Sequence, residues 1–226
     1  MIASVDLIEV VLALCLVTAA LFCLFDRHLL RACSFFVAFT LCMALAWLTL
    51  AAPWLALMEG IIGALLTTPC FFYALGVFTP ASEKLPSHDH FKEPLSRGVM
   101  RTLLALAWCL MVGAVVRFIF PAMVYSPTEH PLLLAGVVMV AAAMGAFAWH
   151  RHLVRRLLAF NVLGSGVFLL LAGLAGTDPQ GQALITTALV VAWLGSLLGA
   201  LVIRRLYRLE GENALLGSRG LKETRQ

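Results

Sequence analysis

Seven apolar runs dominate the sequence, at roughly 4–25, 29–51, 54–78, 101–124, 131–149, 154–175 and 181–203. Each is close to the ~20 residues that a helix needs to cross the hydrocarbon core of a bilayer. In lipid every backbone N–H and C=O must find its partner inside the segment, so such runs fold as helices. The sequence therefore predicts an all-α, polytopic transmembrane bundle of about seven spans. Composition excludes a soluble alternative. Hydrophobic residues make up 62% of the chain and charged residues 12%, against about 25% charged in ordinary soluble chains.

The basic residues alternate between loops. Arg27 and Arg31 follow the first run, and Lys84, Lys92, Arg97 and Arg101 the third. Arg151, Arg155 and Arg156 follow the fifth, and Arg204, Arg205 and Arg208 the seventh. The loops after the second, fourth and sixth runs hold no Lys or Arg. Cytoplasmic loops carry the Lys/Arg excess, which predicts an outside N-terminus and a cytoplasmic C-terminus. Asp6 and Glu9 make the start acidic where a signal peptide is basic, so the first run reads as a retained span. The polar stretch 79–101 divides the chain. Residues 1–78 form a three-span domain, 79–130 a cytoplasmic linker plus the fourth span, 131–208 a second three-span domain and 209–226 a cytoplasmic tail.

Little in the sequence suggests bond chemistry. The six cysteines lie in apolar runs without a C-x-x-C pair, so they read as small packing residues. His88, Asp89 and His90 are adjacent on a loop and rarely converge on a metal without further ligands. His150 and His152 stand among arginines, where headgroup contact or solvation is the simple reading. There is no glycine-rich phosphate loop, nucleophile–base pair or nucleic-acid module. No cofactor or metal is expected, and no catalytic activity of the chain alone.

Charged residues inside spans carry the functional argument, because a carboxylate there costs on the order of 3 kcal/mol by insertion scales. Glu59 lies about six residues beyond Pro53, or ~9 Å deep at ~1.5 Å per residue. Pro53 suits the first turn of its helix. Gly60 and Gly63 flank the acid and would let another helix or a water file approach. Arg117 stays protonated, so it must snorkel or find an anion. Its depth, ~12 Å from the end of its run, matches that of Glu59 and suggests a pair or a shared water. Asn161 and Thr187 are the polar supplements in the second domain.

Two blocks resemble known families. Asp26-Arg27-His28-Leu29-Leu30-Arg31, an apolar span and then Ala52-Pro53-Trp54-Leu55-Ala56-Leu57-Met58-Glu59-Gly60-Ile61-Ile62-Gly63 resemble the small C-terminal domain of the Mrp-type Na⁺/H⁺ antiporter A subunit. The same unit stands alone as a small subunit of membrane-bound hydrogenases. The family pattern is Ala-Pro-Asp-x-Ala-x-x-Glu-x-x-x-Gly, and Trp54 replaces its aspartate. Asp178-Pro179-Gln180-Gly181-Gln182-Ala183-Leu184-Ile185-Thr186-Thr187 and Arg155-Arg156-Leu157-Leu158-Ala159-Phe160-Asn161 are similar to the Mrp C subunit and, more distantly, to the complex I K subunit. Asn161 falls where the K subunit carries a membrane glutamate.

The resemblance implies a small subunit of an Mrp-like cation/proton antiporter or a related complex I-like ion-translocating assembly in the inner membrane of a prokaryote. It would contribute Glu59 and bridge larger subunits. Large antiporter-like subunits, other small subunits and the lipid bilayer are the implied partners, and nucleic acid is not. The alternative is a non-conducting assembly scaffold of a hydrogenase-like redox complex.

Overall fold

A computed structural model describes residues 2–26, 28–78, 131–150, 152–175 and 179–210, with scattered positions between 100 and 118. The described residues contain no strand. Six helices long and apolar enough to cross a membrane run over Ile2–Phe25 (α1), Leu29–Thr49 (α2), Pro53–Ala74 (α3), Pro131–Trp149 (α4), Leu153–Ala175 (α5) and Pro179–Glu210 (α6). The protein is thus an all-α, multi-pass membrane protein. In the expected fourth span, described residues such as Leu103, Leu104, Leu110 and Met111 are helical. The linker, most of the span end and the C-terminal tail lie outside the described residues.

The turns between helices follow from local backbone chemistry. At the end of α2, Ala52 N donates to Trp47 O at 2.9 Å and Ala51 N to Leu48 O at 3.1 Å. This pair of bonds caps the open carbonyls of the last turn and needs a left-handed residue between them. That residue is Ala51, at φ 56°. The end of α3 repeats the motif, with Val77 N on Phe72 O and Gly76 N on Tyr73 O, and here Gly76 takes the left-handed place at φ 75°. Between α1 and α2 the Asp26 carboxylate accepts from His28 N at 2.8 Å, closing a tight turn.

Packing gives two three-helix units set side by side. Helix α1 lies against α2 and α4, α2 against α5, and α3 against α6. The core residues of α1 fall on one stripe, Ala13, Leu16, Ala20, Cys23 and Leu24, while Leu14, Leu21 and Phe22 face outward. Helices α4 and α5 meet backbone to backbone. A Cβ on Gly166 would lie 3.1 Å from Gly136 O and 3.2 Å from Val140 N, so only glycine admits this approach.

The basic end of α5 is tied to the end of α1. His150 Nε2 lies 2.9 Å from Leu24 O, and Arg155 Nη1 donates to the same carbonyl at 3.5 Å. The last carbonyls of a helix are unpaired and carry its negative pole, so cations are favoured there. Arg156 sits 4.5 Å from the centre of the Phe147 ring. The sequence reads His150 and His152 as headgroup contacts or simply solvated, and His150 is half-buried. His150 is a cap for α1, and His152 is buried.

Candidate ion-translocation site

Glu59 is 1% exposed and stands where α3 changes its winding. Pro53–Glu59 is α-helical, Gly60–Thr67 is a π-helix, and Thr68–Ala74 is α-helical again. Pro69 supplies a physical cause, since it has no N–H and its ring crowds the carbonyl four residues back. The ladder slips by one residue ahead of it. Two hydroxyls reinforce the slipped register, as Thr67 Oγ1 donates to Ile62 O at 2.7 Å and Thr68 Oγ1 to Gly63 O at 3.3 Å. Such π segments are rare, and they recur at functional sites.

The carboxyl group is held in a narrow setting. A Cβ on Gly63 would lie 2.9 Å from Glu59 Oε1 and 3.0 Å from Thr40 Cγ2, so Gly63 is what lets α2 and the acid close on each other. Trp47 turns its indole N–H toward the carboxyl without completing a hydrogen bond, and Glu59 Oε2 has no hydrogen-bond partner among the described residues. Beside it lies a cavity with about 20 Å³ of room for water centres, whose polar lining is Glu59, Thr67, Asn161, Ser165 and Trp193. Phe36, Ile62, Phe168 and Leu189 complete the wall.

The structure brings two of the sequence-selected residues together and leaves others apart. Glu59 from α3 and Asn161 from α5 line the same cavity. Asn161 Nδ2 donates to Ser196 Oγ at 2.8 Å and to Leu157 O at 2.9 Å, and Ser196 Oγ lies 2.9 Å from Ala192 O. Thr187 is exposed, spends its hydroxyl on Ala183 O at 2.8 Å, and does not line the cavity. Gly60 has open space where a Cβ would stand, so only Gly63 is a close-packing glycine here. Arg117, the expected partner of Glu59, lies outside the described residues. Trp54, at the position of the family aspartate, is 51% exposed at the start of α3.

Sequence reasoning missed Thr40, Trp47, Thr67, Ser165, Trp193 and Ser196. The one local signal was Thr67-Thr68-Pro69. Two hydroxyls followed by a residue without an N–H mark a place where a helix can change winding.

Comparison with known protein families divides the chain at the same place as the fold. Residues 14–79 match the family model MbhD, the D subunit of MBH. Residues 130–223 match "NADH-ubiquinone/plastoquinone oxidoreductase chain 4L". The chain thus matches the two family models one after the other. No curated protein and no solved structure matches it. The MbhD-like half contains α1 to α3 with Glu59, and the chain 4L-like half contains α4 to α6 with Asn161. The two matched families point to a membrane subunit of a hydrogenase-like or complex I-like assembly. The cavity between Glu59 and Asn161 lies where the two halves touch.

Proposed function

We propose that the chain is a small subunit of an Mrp-like cation/proton antiporter or a related ion-translocating complex of a prokaryotic cytoplasmic membrane. In this reading Glu59 is the group that takes up and releases the ion or proton. The observation that carries it is the Glu59 carboxyl, buried in a span, with one oxygen unpartnered among the described residues and a small, partly polar cavity beside it. A carboxyl group kept at such expense inside a membrane is a functional residue by default. Among the described residues no salt bridge reaches it.

Asn161 supplies hydrogen-bonding capacity but no charge on the opposite wall. Among the described residues Glu59 is thus the one buried carboxylate, where a path across ~30 Å needs a series of ionisable groups or waters. Larger antiporter-like subunits packed against the exposed helix faces would supply the rest, and this chain would bridge them. Glu59→Gln in the assembled complex tests the reading. The substitution keeps shape and polarity and removes the ionisable proton. Loss of ion-coupled transport with the complex still assembled is the expected result. Unchanged transport would leave Glu59 a structural residue and the chain a scaffold.

A further inference from the structure

We propose that the cavity between the two halves holds one bound water molecule, hydrogen-bonded to Glu59 Oε2 and to Trp193 Nε1. Two buried polar atoms on residues lining one small space complete no hydrogen bond among the described residues, the Trp193 indole being turned toward the Cys70 thiol without bonding it. Glu59 Oε2 is an acceptor and Trp193 Nε1 a donor. An unsatisfied buried group costs ~1–3 kcal/mol, so two beside the same cavity need an explanation.

The size fits. A water needs about 10–15 Å³ of room for its centre and two to four polar partners. The cavity offers about 20 Å³, and Thr67, Ser165 and Asn161 line it besides the two residues that carry the orphaned atoms. Space for one water is present, and space for a hydrated ion is not. The donor set also favours water over a bare cation. Hard cations are held by oxygens alone, and an indole N–H is a donor with nothing to offer one. Water accepts from Trp193 and donates to Glu59, which matches both orphans at once.

Such a water would join α3 of the MbhD-like half to α5 and α6 of the chain 4L-like half. It would give Glu59 a hydrogen-bonded exit toward Asn161, and in that respect the inference rests on the reading of Glu59 as the ion-translocating group. The occupancy of the cavity does not depend on that reading.

A structure of the assembled wild-type complex, at a resolution that shows ordered water, is the first test. The expected result is a peak within hydrogen-bond distance of Glu59 Oε2 and Trp193 Nε1. Ala192 also lines the cavity. Ala192→Val fills it, and Trp193→Phe keeps the ring while removing the N–H. Both variants should lose the peak, and ion-coupled transport should fall by about tenfold. If Ala192→Val does not assemble, Trp193→Phe decides alone. A dry wild-type cavity, or a cation ringed only by oxygens, overturns the water site. Full transport in a variant that has lost the peak overturns its part in the relay. A clear peak together with full transport in Glu59→Gln would instead sink the reading of Glu59 and leave the water site standing.

Discussion

Asn161 and Ser196 are joined across α5 and α6 by a hydrogen bond of 2.8 Å, in a position where Ser196 is fully buried and Asn161 nearly so. The amide also donates to Leu157 O, one turn back in its own helix. Ser196 Oγ in turn reaches Ala192 O. This small network clamps two helices of the chain 4L-like half directly behind the cavity that Glu59 faces. It gives Asn161 a structural duty in addition to its place on the cavity wall.

The clamp predicts a non-additive pair of mutations. Ser196→Ala leaves the buried amide short of a partner and should destabilise the complex by ~1–3 kcal/mol. Replacing both residues, as Asn161→Leu with Ser196→Ala, removes the unmet partner as well and should cost less than the two single changes combined. Thermal unfolding of the detergent-solubilised complex, measured for the four proteins of the cycle, checks this. Strict additivity would show that the two side chains act independently.

The turn after α2 predicts a stabilising substitution. Ala51 occupies the left-handed region that α3 gives to Gly76 in the same capping motif. A non-glycine residue there costs on the order of 1 kcal/mol or more. Ala51→Gly should therefore raise stability by ~1 kcal/mol, reduced by the added freedom of the unfolded chain. The midpoint of thermal unfolding should move upward. A fall would mean that the Ala51 methyl makes contacts worth more than the strain.

Gly60 and Gly63 should respond in opposite ways to alanine. At Gly60 a Cβ meets open space, so Gly60→Ala should be neutral or gain the ~0.5–1 kcal/mol that alanine holds over glycine in a helix. At Gly63 the same Cβ comes within 2.9 Å of Glu59 Oε1 and 3.0 Å of Thr40 Cγ2. The carboxyl can swing aside, but the stiff threonine on α2 cannot, so Gly63→Ala should cost ~1–3 kcal/mol and displace Glu59. Transport assays alongside unfolding separate the two effects. Equal tolerance at both positions would contradict the packing around the acid.

The all-α, membrane-spanning fold was legible because run length and backbone satisfaction in lipid leave almost no other solution. Which faces are buried was not. Helices such as α1 and α4 are apolar all round, so sequence periodicity carries no record of which stripe meets a neighbour. Glu59 stood out as a lone acid in a span, and Asn161 through its place in the family pattern. Their meeting at one cavity depends on how the two halves dock, which local pattern cannot express. Thr187 looked equivalent to Asn161 as a polar residue in a span. A threonine hydroxyl can be satisfied by its own helix four residues back, as it is here on Ala183 O, and so can face lipid at little cost. The π segment left only the trace of Pro69 behind two threonines.

Orientation gives a prediction that depends on the loops alone. Lys84, Lys92 and Arg97 lie in the stretch between the halves, and the positive-inside rule assigns that stretch to the cytoplasm. A cysteine introduced at Ser87, in a background without the native thiols, should resist a membrane-impermeant maleimide in intact cells. It should react after the membrane is opened. Strong labelling from outside would invert the whole arrangement and place the C-terminus outside.

The last prediction concerns what the chain does by itself. Across the six described spans Glu59 is the one carboxylate buried in the core. Buried arginines lie at the basic end of the bundle: Arg155 bonds the end of α1, and Arg204 stacks 5.9 Å from the centre of the Tyr73 ring. Arginine stays protonated, so neither can pass a proton on. Among the described residues, one buried acid beside a cavity of single-water size does not make a continuous path through ~30 Å of hydrocarbon. Vesicles reconstituted with the purified chain alone should therefore hold an imposed pH gradient as long as empty vesicles do, with or without Na⁺. Adding the partner subunits should open the path, and that opening should depend on Glu59. Rapid Na⁺-dependent collapse of the gradient in vesicles that contain only this chain would show that the bundle is a transporter in its own right.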